Sequence, residues 1–416
     1  MIPTETVTIG RLGARGDGIA EDGTAVAFAL PGERVAIRRD GGRGELVAIE
    51  TPSPDRIAPV CPYFTRCGGC ATQHLAPGPY AAWKHAQVAH ALEQAGLDRV
   101  PEPLIDAHGE GRRRITLHVR EIDGRAEAGL MAARSHALVA IDWCPITVPA
   151  LHQVPEVARA LAAPLGHGRK PLDVAVTASE AGLDVDLRGH GPVAAGVRAA
   201  LVRLADDLDL ARLSLHGDVV VERRAVTVVS GHARLHPPPG GFLQATGAGE
   251  ATLAGLVREG IAGKAKRVAD LFSGCGPFTL AIARGSRVHA VESEAGALAG
   301  IERSSRGVQG LKTVTTERRD LFRRPLLAHD LAGYDAVVFD PPRAGAQAQA
   351  RQIAESTVPL AVGVSCDAGT FARDAAALVA AGFALERVTP VDQFRYSGHV
   401  EMVGVFRRAV ATRRRL

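Results

Sequence analysis

Four apolar runs of strand length, each followed by a helix-length segment, constrain the second half of this chain more than any other feature. They are RVADLF (267–272), VHAVES (288–293), AVVFDPP (336–342) and LAVGVSC (360–366), preceded by the helix-like stretch EATLAGLVREGI (250–261). Strands that alternate with helices pair in parallel through crossover connections, which predicts a Rossmann-like, doubly wound α/β domain. The 416 residues exceed what one average core supports, so two or three domains are expected. The longest apolar run, AAALVAAGFAL (375–385), is too short to cross a bilayer. No basic, apolar and small-residue leader pattern opens the chain, so a cytoplasmic protein with no membrane partner is expected.

The strand ends of that α/β region carry the first chemical signal. VADLFSGCGPFTLAIA (268–283) reads as strand, glycine turn and helix, with Gly274 and Gly276 letting the chain approach a ligand at the helix N-terminus. Glu292 follows Asp270 by 22 residues, where a carboxylate can accept from both hydroxyls of a ribose. A dinucleotide fingerprint needs a third glycine; Thr279 stands there instead, which disfavours a nicotinamide cofactor. Asp320 in RRDLF would follow another strand and reach an adenine edge. Asp340 in VVFDPPRAG ends the next, with Pro341 and Pro342 stiffening the loop above it. Each acid alone is commonly a cap or turn residue. Together, at successive strand ends of one sheet, they outline a pocket for S-adenosylmethionine.

Cys366, in VGVSCDAG, falls at the carboxyl end of the following strand, the edge where ligands gather in such sheets. Glu401 begins a last apolar run that could return beside it. A thiol and a carboxylate over a methyl donor suit methylation of a poorly nucleophilic carbon such as uracil C5. Amine methylation needs no covalent step and usually places an aromatic residue after paired prolines, where this chain has Arg343.

Upstream, residues 6–49 alternate apolar positions with Gly-Asp, Asp-Gly and Pro-Gly turns, which predicts a small β-barrel of the oligonucleotide-binding type. TPSPDR (51–56) reads as a linker. YAAWKHAQVAHALEQAG predicts a helix from about residue 80 with Gly96 as its stop, and ITLHVR, HALVAI, LDVAVTA and LDVDLRG predict strands of a mixed α+β region. Of six cysteines, Cys61, Cys67 and Cys70 share one ten-residue loop, CPYFTRCGGC, and Cys144 could supply a fourth ligand. Clustered thiols in a long chain without a leader suggest metal binding, by zinc or by an iron–sulfur cluster. Three ligands from one loop lean toward the cluster. Arginine supplies 44 of the 49 basic residues, which reflects either composition or phosphate recognition by groups such as Arg112, Arg113, Arg114, Arg413, Arg414 and Arg415.

These motifs make the chain resemble the bacterial RNA uracil-5-methyltransferases, and most closely their iron–sulfur branch acting on 23S ribosomal RNA. GGFLQAT, DLFSGCGPFTL, AVES, FDPPRAG, SCDAGTFARD and DQFRYSGHVE follow in the order of that family. The resemblance implies an RNA-binding TRAM barrel over residues 1–54, a central α+β domain over 55–245 and a methyltransferase domain over 246–416. It implies that Gln244, Phe272, Gly274, Gly276, Glu292, Asp320 and Asp340 bind S-adenosylmethionine, with Cys366 as nucleophile and Glu401 as base. Cys61, Cys67, Cys70 and Cys144 would hold a [4Fe–4S] cluster, with zinc as the alternative occupant, in a monomer acting on RNA. Phe242 could stack on a flipped base. Asp367 replaces the asparagine usual after the nucleophile, and Pro277 stands where a donor-binding asparagine often sits. The same reaction on transfer RNA, or a non-catalytic RNA-binding factor with a relic pocket, are the competing readings.

Overall fold

In the computed structural model the described residues are 4–166, 171–261, 263 and 265–408; Arg413, Arg414 and Arg415 lie outside them. Alternation in the N-terminal segment resolves into five strands, Thr4–Leu12, Gly18–Ala20, Ala25–Val26, Arg34–Asp40 and Arg43–Thr51, which close into a barrel. Ile9, Val26, Val35 and Ile37 point inward to fill it. The expected linker does more than connect. Arg56 donates from Nε to Glu33 Oε1 at 2.6 Å and from Nη2 to Glu33 Oε2 at 2.8 Å, while the backbone N–H groups of Leu30 and Ser53 donate to the same carboxylate. Burial alone would raise the pKa of Glu33, but Arg56 and those two amides outweigh it and lower the value.

The middle region is a seven-stranded sheet in the order Asp218–Glu222, Arg212–Leu215, Gly182–Arg188, Leu172–Ser179, Arg114–Ile122, Arg125–Met131 and Leu138–Ala140. Helices Val154–Ala162 and Ala195–Asp207 pack their apolar residues, Val157, Leu161 and Leu201 among them, against Leu117, Val174, Val185 and Leu213 of one sheet face. This matches the expected mixed α+β character.

The C-terminal sheet has eight strands in the order Val314–Arg318, Arg287–Glu292, Arg267–Leu271, Ala336–Phe339, Leu360–Ser365, Glu401–Arg408, Phe383–Asp392 and Ile105–Asp106. The first five are mutually parallel, and Glu401–Arg408 runs antiparallel to both its neighbours. Alternate residues bury on opposite faces: Ala269, Leu271, Val337 and Phe339 on one, Val268, Val338, Val362 and Val364 on the other. Chain order and spatial order part company here. Helix Pro77–Gln94 packs Val88 and Leu92 into the first of these faces, and Ile105–Asp106 adds an edge strand to the same sheet. Strand order reverses at Arg267–Leu271, so the crevice beyond its carboxyl end is where a ligand is expected.

Candidate active site

A cleft of about 750 Å³ opens at that crevice, and its lining includes Phe272, Glu292, Asp320, Asp340, Cys366 and Glu401. Each sits at a strand end for a topological reason. Glu292 closes Arg287–Glu292, Asp340 directly follows Phe339, and Cys366 directly follows Ser365. Because Ser365 pairs with Met402 in antiparallel register, the next step brings Cys366 beside Glu401. Gln244, Gly274 and Phe242 line the same cleft, and Gly276 adjoins it in the turn.

The turn after Arg267–Leu271 is tightly determined. Phe272 holds a left-handed φ of 59°, uncommon for a residue with a side chain, and Gly276 has φ of 85°. A Cβ on Gly276 would lie 2.6 Å from Ile301 Cγ1, so only glycine fits against the neighbouring helix Ala295–Arg306. Thr279, where a third glycine would stand in a dinucleotide site, donates its hydroxyl to buried Asp270. Burial pushes the Asp270 carboxyl up to about 7 against the lowering effect of that bond. Glu292 accepts N–H groups from Gly274 at 3.1 Å, Ser293 at 2.6 Å and Glu294 at 3.0 Å. Asp320 accepts from Phe322 N–H at 3.0 Å, and the Phe322 ring lies 5.4 Å from that of Phe272. Both acids therefore hold their turns and also face the cleft.

Deeper in, the acids are linked by amides. Gln244 Nε2 donates to Asp340 Oδ2 at 3.1 Å, Gln393 Nε2 donates to Gln244 Oε1 at 2.6 Å and to Glu401 Oε1 at 3.1 Å. Glu401 Oε2 is buried without a hydrogen-bond partner. Burial pushes Glu401 up to about 7, with Gln393 and Arg343 pulling the other way. Burial, then the charges of Glu401 and Asp270, raise Asp340 well above the ordinary carboxylate range. Cys366 is pushed up to about 11 by burial and by both carboxylates, with Arg343 opposing them. The arrangement holds a neutral thiol beside a carboxyl poised near neutral pH, a combination suited to nucleophilic attack followed by proton removal.

Three features escaped sequence reasoning. Gln393 lay inside a recognised motif, but nothing in its spacing marked it as the link between Gln244 and Glu401. Arg113 is buried, pairs with Glu250 and donates from Nε to the carbonyl of Gln244 at 3.0 Å, so it is neither a phosphate contact nor a solvated charge. Arg114 donates to Leu243 O at 3.1 Å and sits over the Phe242 ring at 5.3 Å, leaving that ring 62% exposed at the cleft mouth. Asp367, the departure from the family pattern, is the N-cap of helix Ala368–Ala380, where Oδ1 accepts the Thr370 N–H at 2.9 Å.

Cys61, Cys67, Cys70 and Cys144 come close enough to influence one another. Burial, then the charges of Cys144, Cys67 and Cys61, push Cys70 up to about 12 against the opposing bond from Gln73, and burial raises Cys144 to about 11. Among the described residues, however, no group of three or more His, Cys, Asp or Glu side chains is arranged to hold a metal ion. The expected ligand quartet is therefore not shown as a formed site. Gly69 and Cys144 nevertheless line the same cleft as Glu292, Asp340 and Cys366, so the cysteine loop is near those residues in space though distant in sequence.

No family model matches the chain. A Brucella suis protein named as an uncharacterised RNA methyltransferase is 45% identical over 97% of this chain and 97% of its own. A Caulobacter vibrioides protein of the same description is 44% identical over 97% of this chain and 100% of its own. The 23S rRNA (uracil(1939)-C(5))-methyltransferase of Chromohalobacter salexigens is 33% identical over 95% of this chain and 87% of its own. In fold, the chain is similar to the Pyrococcus abyssi tRNA (uracil-54, C5)-methyltransferase bound to S-adenosyl-L-homocysteine, with a TM-score of 0.78 at 20% identity over 96% of this chain and 99% of that one. A doubly wound sheet with this cleft defines an S-adenosylmethionine-dependent methyltransferase. The chain belongs to the RNA uracil-5-methyltransferase family.

Proposed function

We propose that the protein methylates uridine C5 in 23S ribosomal RNA, with S-adenosylmethionine as donor, Cys366 as nucleophile and Glu401 as base. The observation that carries this reading is the register that sets Cys366 beside Glu401 and next to Asp340 in one cleft. Cys366 gives its proton to solvent water and its sulfur bonds to uracil C6, sending the ring electrons toward C5 and the C4 carbonyl. C5 takes the methyl group as the methyl–sulfonium bond breaks and S-adenosylhomocysteine leaves. Glu401 removes the C5 proton, the C5–C6 double bond re-forms and the thiolate departs. Gln244, Phe272, Gly274, Gly276, Glu292, Asp320 and Asp340 line or adjoin the donor end, and Phe242 is exposed where a flipped base would enter.

Labelled methyl donor incubated with unmodified 23S ribosomal RNA, followed by nucleoside analysis, tests the reading. The expected product is 5-methyluridine, abolished by Cys366→Ala. Product on transfer RNA alone would move the substrate and keep the chemistry. The spacing of Cys61, Cys67, Cys70 and Cys144 is what supports a [4Fe–4S] assignment, and no catalytic step is routed through it. Anaerobically purified protein is expected to carry roughly four iron and four sulfide per chain; bound zinc without iron would replace that assignment.

A further inference from the structure

We propose that Gln393 is the positioning residue that aims Glu401 at the C5 proton, and that Lys84 fixes the loop that carries it. The proposal rests on the reaction proposed above.

Gln393 is wholly buried and its amide has one workable orientation. Both Nε2 protons are taken, by Gln244 Oε1 and Glu401 Oε1, and Oε1 accepts the Thr246 N–H at 3.4 Å. Turning the amide over would set its oxygen against two acceptor oxygens, so the polarity of the chain from Asp340 through Gln244 and Gln393 to Glu401 is fixed. One Glu401 oxygen is thereby pinned, and the other, Oε2, is left buried and unpartnered on a residue that lines the cleft. A carboxylate held by one oxygen presents the second in a single direction, which is what removal of a C–H proton requires.

The loop from Asp392 to Glu401 is clamped by a distant helix. Lys84, on Pro77–Gln94, is fully buried, and its Nζ donates to Asp392 Oδ1 at 2.9 Å, to Phe394 O at 3.3 Å and to His399 O. Tyr80, one turn earlier, donates its hydroxyl to Asp392 Oδ2 at 2.6 Å. Asp392 directly precedes Gln393, and His399 stands two residues before Glu401, so the clamp grips both ends of the base-bearing loop. Three acceptors around one nitrogen match the three N–H bonds of an ammonium; a planar guanidinium fork cannot reach all three. In a chain with 44 arginines and five lysines, a buried lysine at this point answers a geometric demand.

The step affected is the last one: the C5 proton passes to Glu401 Oε2, its electron pair re-forms the C5–C6 bond, and the C6–sulfur bond breaks. In Gln393→Leu, attack and methyl transfer proceed while release slows by roughly 10- to 100-fold, so methylated RNA accumulates as a denaturation-stable adduct on Cys366. RNA containing 5-fluorouridine, which has no C5 proton to lose, should trap the parent and the variant alike. If the parent traps neither RNA, the proposed reaction fails. If the parent traps fluorinated RNA and Gln393→Leu releases ordinary RNA at the parental rate, the positioning role fails. Gln393→Glu, which keeps the volume but loses a donor, and Lys84→Met provide the same readout should Gln393→Leu not fold. Lys84→Arg is expected to behave like Lys84→Met, and full release by Lys84→Arg would overturn the clamp.

Discussion

The ionisation of Glu401, the proposed base, is set by a balance of two effects. Burial lifts its pKa to about 7, while Gln393 and Arg343 favour the charged form. Only the ionised carboxylate can accept a proton, so breakdown of the RNA adduct should accelerate as pH rises through about 7 and level off above it. Single-turnover decay of labelled adduct measures this directly, and a rate that stays flat from about pH 6 to 8 would remove Glu401 from the step. Asp367 is a simpler case. Its carboxylate oxygen does what an asparagine carbonyl does as an N-cap, so Asp367→Asn should change unfolding stability by less than ~0.5 kcal/mol while Asp367→Ala costs about 1 kcal/mol. Chemical denaturation of the two variants checks both values. The cap also weakens the case for a relic site, because the departure from the family pattern has a local structural reason.

At the scale of the element, helix Pro77–Gln94 joins two tasks. One side delivers Tyr80 and Lys84 to Asp392 in the segment that leads to Glu401, and Val88 and Leu92 on the same helix pack into the core of the C-terminal sheet. Leu92→Ala leaves a cavity against Leu97, Phe383 and their neighbours and should cost about 2–5 kcal/mol. Hydrogen exchange should locate the lost protection in Phe383–Asp392 and Glu401–Arg408, with Leu172–Ser179 of the middle sheet unchanged. Uniform loss across both sheets would mean that the two cores unfold as one.

At the scale of the molecule, the same helix and the edge strand Ile105–Asp106 make the C-terminal sheet depend on residues far upstream. A fragment spanning 246–416 exposes the seat of Val88, Leu92 and Leu97 and an unpaired edge of Phe383–Asp392, so it is expected to aggregate. Well-dispersed amide resonances from that fragment would defeat the expectation. The barrel reaches the site through its first loop as well: Trp83 Nε1 donates to Gly13 O at 3.1 Å, and the Ala71 N–H donates to Tyr396 O at 2.7 Å from the cysteine loop. Barrel, cysteine loop and C-terminal sheet therefore all bear on the short segment that leads to Glu401.

The alternating strands and helices, the glycine turn at Gly274 and Gly276, and the acids at strand ends were legible because periodicity and turn chemistry are local. Thr279 in place of a glycine disfavoured a nicotinamide site on the same grounds. Cys366 could be placed at a strand end, and Glu401 at the start of one, from pattern alone. Their adjacency could not, because it follows from the antiparallel insertion of Glu401–Arg408 next to Leu360–Ser365. The roles of Gln393, Lys84 and Arg113 were equally hidden, since a buried hydrogen bond between residues separated by more than a hundred positions leaves no periodic trace. The cysteine spacing suggested a ligand set, yet whether four thiols converge depends on the packing of the loop against Arg125–Met131, which sequence spacing does not encode. Local chemistry follows from neighbours in the chain, whereas the direction in which a buried side chain points is decided by everything packed around it.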